Sequence, residues 1–392
     1  MTDNAKTLDR NLYVVQLTSL RGIACMVVLV GHVIQVINYH DASAGFAAGW
    51  IRTLITGAFN AEGAVLVFFV LSGCVLSLSL RNVKYFDRKV IFGFYVKRVF
   101  RLFPLLWLSL IIAAFSMVVS ADLARHGVFS DWLDGNILSG ISLRHSLYSV
   151  SGLYTRYNGP MWSLRVELIC SALFPAIYVL VKNKRCRAAT LVALAVIALL
   201  PISHRFGTAF GLSFAAGALI PMLPYRASRF DIPLLFLALL ALVYDRLALS
   251  ALNPPERVFD VIETLAAFVI VRDIFTAGQR YRFLLSAPMV TLGEISFSIY
   301  LLHLPIFLIL FVCIGHNVGL SSILDHPAIS QILLSILTAL VTVVISIFTY
   351  SHVELPMHNL GRRLAKQISQ KSKTERSAIH AVGLHKAEPP LA

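Results

Sequence analysis

Long apolar runs separated by short polar or basic segments set the pattern of this chain. They fall near residues 14–38, 62–81, 95–120, 160–182, 188–204, 207–223, 232–250, 258–276, 289–315 and 329–352. A helix rises 1.5 Å per residue, so about 20 apolar residues cross about 30 Å of hydrocarbon. No water satisfies backbone groups inside a bilayer, and segments of this kind must close their own hydrogen bonds as helices. The pattern predicts an all-α, polytopic membrane protein with about ten transmembrane helices. Several runs are short enough that their ends can shift by a few residues, or that one is re-entrant.

Lysine and arginine collect after every second run. Lys84, Arg88, Lys89 and Lys97 follow the second, Lys182, Lys184, Arg185 and Arg187 the fourth, and Arg226 and Arg229 the sixth. Arg280 and Arg282 follow the eighth, and Arg362, Arg363 and Lys366 the tenth. Cations are retained on the cytoplasmic side, so both termini are predicted to be cytoplasmic. The first run is too long, and lacks the small-residue site, for a cleaved signal. Residues 1–366 read as one membrane-embedded domain. Residues 367–392 form a polar, basic tail predicted to be disordered.

Composition supports this reading. The 392 residues are 57% hydrophobic and 14% charged, with a mean hydropathy of +0.76. The net charge of +14 is spent on topology clusters, so no nucleic-acid partner is expected. Five cysteines show no CxxC or Cys/His grouping, and neither a metal site nor a disulfide framework is expected. The loop over 121–159, with Tyr148, Tyr154 and Tyr157 before Asn158-Gly159-Pro160, is long enough either to carry function or to serve as a connector.

The candidate chemistry lies inside the spans, where ionisable groups are costly and mark working sites. Arg21 and His32 both fall in the first run. Eleven residues at about 100° each bring them onto one helix face, roughly 16 Å apart along the axis. Depth counted from helix ends places His32, Glu167 and His303 together, roughly 8, 9 and 10 Å below the outer surface. A carboxylate there would set the tautomer of a histidine acting as general base toward a hydroxyl. Arg21, Arg98 and Arg101 form a second, cytoplasmic layer. Arg98 and Arg101, at the start of the third helix, project from neighbouring positions, and guanidinium groups bind phosphates bidentately. Gly73, Gly207, Gly211 and Gly217 read as close helix contacts. Glu354-Leu-Pro356 reads as the end of the last span, with Glu354 paired to a nearby arginine.

Six ordered motifs carry a resemblance to a known family. They are Leu17-Thr-Ser-Leu-Arg-Gly22 followed by Gly31-His32, Phe68-Phe-Val-Leu-Ser72-Gly73, and Arg98-Val-Phe-Arg101 before Pro104. Then come Pro160-Met-Trp162-Ser163-Leu-Arg-Val-Glu167, Leu292-Gly-Glu-Ile-Ser-Phe-Ser-Ile-Tyr-Leu-Leu-His303, and Glu354-Leu-Pro356. Over residues 15 to 363 the chain resembles the acyltransferase 3 family of integral membrane acyltransferases. The resemblance implies an inner-membrane O-acyltransferase that moves an acyl group, usually acetyl from acetyl-CoA or another acyl-CoA, onto a hydroxyl of an envelope or exported glycan or lipid-linked sugar. It implies His32 as the catalytic histidine with Glu167 beside it, and Arg21, Arg98 and Arg101 on the acyl-CoA. Trp162, Ser163, His303 and Ser72 would shape or support the acceptor side. Acyl-CoA is a co-substrate, and no bound cofactor is expected. The chain departs from the family at Thr18-Ser19, Cys74 and Arg165. Arg165 either meets an anionic acceptor or snorkels to headgroups. A proton-coupled transporter using Arg21, His32, Glu167 and His303 is the competing reading.

Overall fold

The computed structural model describes residues 3–37, 54–81, 83, 87–154, 156–201, 208–224, 228–249, 252–276 and 280–368. Most of the expected tail (369–392), together with Lys84, Gly207 and Arg226, lies outside the described residues. In chain order the helices are α1 (Asp3–Val36), α2 (Ala61–Leu80), α3 (Arg88–Arg125), α4 (Asp131–Leu138), α5 (Leu143–Val150), α6 (Met161–Lys182) and α7 (Lys184–Leu199). They continue as α8 (Gly211–Leu219), α9 (Asp231–Ala248), α10 (Glu256–Thr276), α11 (Ala287–Glu294), α12 (Ser296–Val318), α13 (Leu320–Leu324) and α14 (Pro327–Thr349). The described residues form no strand, only an isolated bridge between Ile37 and Phe129.

Among the described residues, six helical stretches are long and apolar enough to cross a membrane: Val14–Val36, Leu54–Leu80, Arg88–Arg125, Met161–Lys182, Ser296–Val318 and Ile329–Ile368. The other expected spans are helical too, but shorter or more charged. α7 has 16 residues, α8 has 9, and α10 carries Glu256, Arg257, Asp260, Glu263, Arg272 and Asp273.

α1 runs through the middle of the bundle. It packs on α2, α10, α11, α12 and α14 and buries Leu17, Ala24, Cys25, Val28, Leu29, Val33 and Val36. α14, by contrast, turns Ile332, Leu333, Ile336, Leu340, Val344 and Phe348 outward. An apolar exterior of this kind suits lipid, where only the helix face toward the bundle needs protein neighbours.

Three boundaries differ from those expected. The run over 289–315 is split into α11 and α12, with Ile295 between them. The last span does not stop at Glu354-Leu-Pro356. Tyr350–Glu354 is a π turn, after which helix continues to residue 368. In that turn the Leu355 N–H reaches the Tyr350 carbonyl, and the wider register lets the helix pass a proline that has no N–H to donate. Third, α3 begins at Arg88, where the Asp87 carboxylate accepts the Val90 N–H at 2.8 Å. Arg98 and Arg101 therefore lie some three turns inside α3 rather than at its start.

Proline in mid-helix also ties the loop over 121–159 to the bundle. Pro305 within α12 leaves the Leu301 carbonyl without its intrahelical donor, and Asn158 Nδ2 donates to that carbonyl at 2.8 Å. Asn158 is buried, so the segment leading into α6 is pinned against α12.

The tightest helix contact is α2 on α8. A Cβ built on Gly217 would fall inside the Val70 carbonyl, and one built on Gly73 inside the Phe214 carbonyl. Small residues allow this approach where lipid supplies no hydrophobic drive between helices. Gly217→Val is therefore expected to cost about 2 kcal/mol or more through overpacking. The cost will be read as a lower midpoint in thermal or detergent-titration unfolding of the purified protein, against an unchanged midpoint for Gly135→Ala, which has open space around it.

Candidate active site

Two cavities open on α1, one near each of its polar residues. The first, of about 560 Å³, is lined by His32 and Gln35 from α1, Glu62 from the start of α2, Tyr154 and Arg156 from the loop, Trp162 and Arg165 from α6, and Tyr300 from α12. The second, of about 180 Å³, is lined by Arg21, Ser72, Lys97, Arg98, Arg101, Glu167 and His358.

In the first cavity, His32 Nδ1 lies 2.8 Å from His303 Nε2. The rings are nearly coplanar, with an 8° angle between their planes. His303 is buried, and its Nδ1 lies 3.1 Å from the Ile299 carbonyl oxygen. A carbonyl can only accept, so His303 Nδ1 carries the hydrogen and a neutral His303 presents a lone pair at Nε2. His32 Nδ1 must then donate to that lone pair. The tautomer follows from the bonding pattern: His32 keeps an unprotonated Nε2. The backbone of α12 thus orients a base through a second imidazole, the task that a carboxylate commonly performs.

The other expected residues of this region are also placed. Trp162 lines the cavity and packs edge-on against Phe69 and at a tilt against Phe210, with ring centroids 6.2 and 5.5 Å away. Ser163 is buried and donates to the Tyr300 hydroxyl at 2.7 Å. Tyr300 in turn donates to the Pro160 carbonyl at 3.0 Å. With its hydrogen committed to Tyr300, Ser163 braces the start of α6 against α12.

The second cavity is built on ion pairing and on the helix break. Arg98 Nη2 donates to Glu167 Oε1 at 2.6 Å and to Ser171 Oγ at 2.7 Å. Ser72 donates to the same Glu167 oxygen at 3.3 Å. Arg21 Nη2 donates to the Gly293 carbonyl at 2.8 Å, and its Nε to Ser296 Oγ at 2.8 Å. The split between α11 and α12 turns the Gly293 carbonyl out of the helical ladder and makes it available to Arg21. Glu354, brought inward by the π turn, is buried and accepts from Ser298 at 3.0 Å. Its partner is thus a serine, with Arg21 and Arg101 in electrostatic reach. Arg101 makes no hydrogen bond or ion pair to a described residue, which leaves its guanidinium for an incoming anion.

The structure therefore brings His32 to His303, and Glu167 to Arg98 and Ser72, but not Glu167 to His32. Depth along α6 grouped Glu167 with the histidines, whereas its side chain turns to Arg98 and Ser72. The cause is α3: about ten residues lie below Arg98, roughly 15 Å of helix, and they lift its guanidinium to Glu167. Ser72 accompanies Glu167 in the arginine cavity, away from the acceptor side where it was expected. Reasoning from sequence also passed over Tyr300, although it stands three positions before His303 on the same helix face. It gave Arg156 and Glu62 no role, because a cavity formed by five segments leaves no local signal.

Both cavities reach α6, where Trp162 borders one and Glu167 the other. Five residues separate them, about 7.5 Å of helix. An imidazole with an unprotonated Nε2 faces one chamber and a set of cations the other, inside a multi-pass helical bundle. A family model described as an acyltransferase domain matches residues 14–351, and the chain belongs to that family, acyltransferase 3. It is a membrane acyltransferase. The chain is similar to acyltransferase MdmB of Streptomyces mycarofaciens, with 29% identity over 376 residues covering 88% of this chain and 92% of that protein. No solved structure matches the chain significantly.

The Arg98–Glu167 pair is mostly buried, with side chains 11% and 22% exposed. Removing one partner strands the other charge. Arg98→Ala is expected to destabilise the protein by about 3 kcal/mol, and the Arg98→Ala/Glu167→Ala double variant by clearly less than the two singles summed. A double-mutant cycle from unfolding midpoints in detergent measures the coupling; additive singles would contradict the pairing.

Proposed function

We propose that this chain is an O-acyltransferase of the inner membrane that takes an acyl group, most simply acetyl, from cytoplasmic acyl-CoA. It delivers that group to a hydroxyl of an envelope or exported glycan or lipid-linked sugar. The proposal includes ten membrane helices and both termini in the cytoplasm, an orientation that follows the positive-inside rule. The arginine cavity then opens toward the cytoplasm and the His32 cavity toward the opposite face. The observation that carries the reading is this pair of cavities, one cationic and one holding an oriented base, separated by five residues of α6.

In this reading Arg101, Lys97 and the free N–H groups of Arg21 and Arg98 bind the phosphates of the donor. Guanidinium groups suit that task because their fork matches phosphate oxygens and their charge persists at all working pH values. Glu167 holds Arg98 in place, which makes it a positioning residue.

On the other side, His32 Nε2 takes the proton from the acceptor hydroxyl as the oxygen attacks the thioester carbonyl. The resulting imidazolium remains hydrogen-bonded through Nδ1 to His303 Nε2, and the proton on Nε2 can pass to the departing thiolate. One C–O bond forms, one C–S bond breaks, and the proton ends on the thiol of CoA. His303 and the Ile299 carbonyl keep the imidazole in the tautomer that the step requires.

His32→Ala is expected to lower transfer about 10²- to 10⁴-fold, the range lost with a general base. His303→Ala should lower kcat by a smaller factor with the acyl-CoA KM unchanged. Both are measured as CoA thiol release in proteoliposomes, alongside mass spectrometry of envelope glycans from cells with and without the gene. Full activity in the His32→Ala protein, or an unchanged glycan profile on gene deletion, would sink this reading.

A further inference from the structure

Arg156 and Arg165 both line the His32 cavity, and the transfer step described above uses neither. Arg165 lies in the second turn of α6, and Arg156 in the segment that Asn158 pins to α12. Neither makes a hydrogen bond or ion pair to a described residue, and Arg165 Nε is fully buried without a partner. The carboxylate on the same wall does not neutralise them. Glu62 is engaged by Arg246 at 2.6 Å, and Arg246 also holds Glu256 at 2.6 Å and Glu263 at 2.9 Å.

A snorkelling arginine keeps its stem in the hydrocarbon and sends its head out to water or headgroups. Arg165 instead lines a half-open protein cavity, with its Nε out of solvent. Two cations lining one partly dehydrated cavity repel each other and lose hydration, and both costs fall when an oxyanion sits between them. The first turn of α6 adds the positive end of a 22-residue helix to the same wall. The volume of about 560 Å³ is in the range of small-ligand sites, with room for a sugar ring beside His32.

We infer that the acceptor carries an oxyanion, a carboxylate or a phosphate, which Arg156 and Arg165 clamp while a hydroxyl of the same molecule faces His32. Trp162 and Tyr154 supply flat aromatic walls beside the ring. The inference rests on the acyl-transfer reading of the site and adds to it the charge class of the acceptor. The same oxyanion chemistry could instead belong to the acyl group, as in a dicarboxylic donor, and the test separates the two sources.

The test titrates the purified full-length protein in detergent with methyl glucoside, methyl glucuronide, glucose 6-phosphate and succinate, read by thermal shift. The glucuronide or the sugar phosphate should stabilise the protein at concentrations where the glucoside and succinate do not. Arg156→Gln and Arg165→Gln should each weaken that binding about tenfold, the double variant more, and Arg165→Lys should keep part of it. Coenzyme A is titrated on the same samples. Its shift should survive in the Arg156→Gln/Arg165→Gln protein, which certifies folding, and should weaken in Arg101→Gln. Three results overturn the inference: no preference for the charged sugars, a preference that persists in the double variant, or arginine-dependent binding of succinate alone. Loss of the coenzyme A response with the sugar preference intact would instead overturn the donor assignment.

Discussion

The contact between α1 and the broken pair α11 and α12 is the constraint on which the site depends. Arg21 is held by the Gly293 carbonyl and Ser296 at one end of that contact, and His32 by His303 at the other. Midway, Cys25 Sγ donates to the Ser296 carbonyl at 3.1 Å. Glycines make the approach possible: a Cβ on Gly22 would meet the Gly293 backbone, and one on Gly293 the Thr18 carbonyl. Two helices that pack backbone to backbone cannot rotate independently, so the cation and the base keep a fixed separation and a common face.

This geometry explains how the polar groups are tolerated inside the bundle. None of the principal ones stands alone among apolar neighbours. Arg98 gives its Nη2 to Glu167 and Ser171, Glu354 accepts from Ser298, and His303 is satisfied on both nitrogens. A buried polar group without a partner costs about 1–3 kcal/mol, so satisfaction of this kind is what allows a chain this apolar to hold a chemical site at all. Arg101, Arg156, Arg165 and the Nε of Arg98 are the departures, and all four residues line cavities. Unspent donors on a cavity wall are the groups a ligand can use.

The loop over 121–159 is structured by the same logic. α4 and α5 fold against α3, the Tyr157 hydroxyl donates to the Ser142 carbonyl at 2.9 Å, and Asn158 exploits the gap that Pro305 leaves in α12. The loop thereby delivers Asn136, Tyr154, Arg156 and Gly159 to the wall of the His32 cavity. It is a structural part of the site's wall.

Much of this protein was legible along the chain because hydrophobic length and helical period are local properties. Apolar runs identified the helices, the 100° step placed Arg21 and His32 on one face, and the costliness of buried charge singled out the residues worth following. Tertiary structure decided what those residues meet. Depth along an axis is one coordinate, and it assigned Glu167 to the histidines; the azimuth of α6 and the reach of α3 assign it to Arg98. Hydropathy is blind to the break at Ile295 and to the π turn at Tyr350–Glu354, because both are set by competition for backbone hydrogen bonds after the helices pack. The same is true of Arg165. Its sequence neighbours are those of any membrane helix end, and only the walls brought in from α1, α2, α12 and the loop turn it toward a chamber rather than toward lipid.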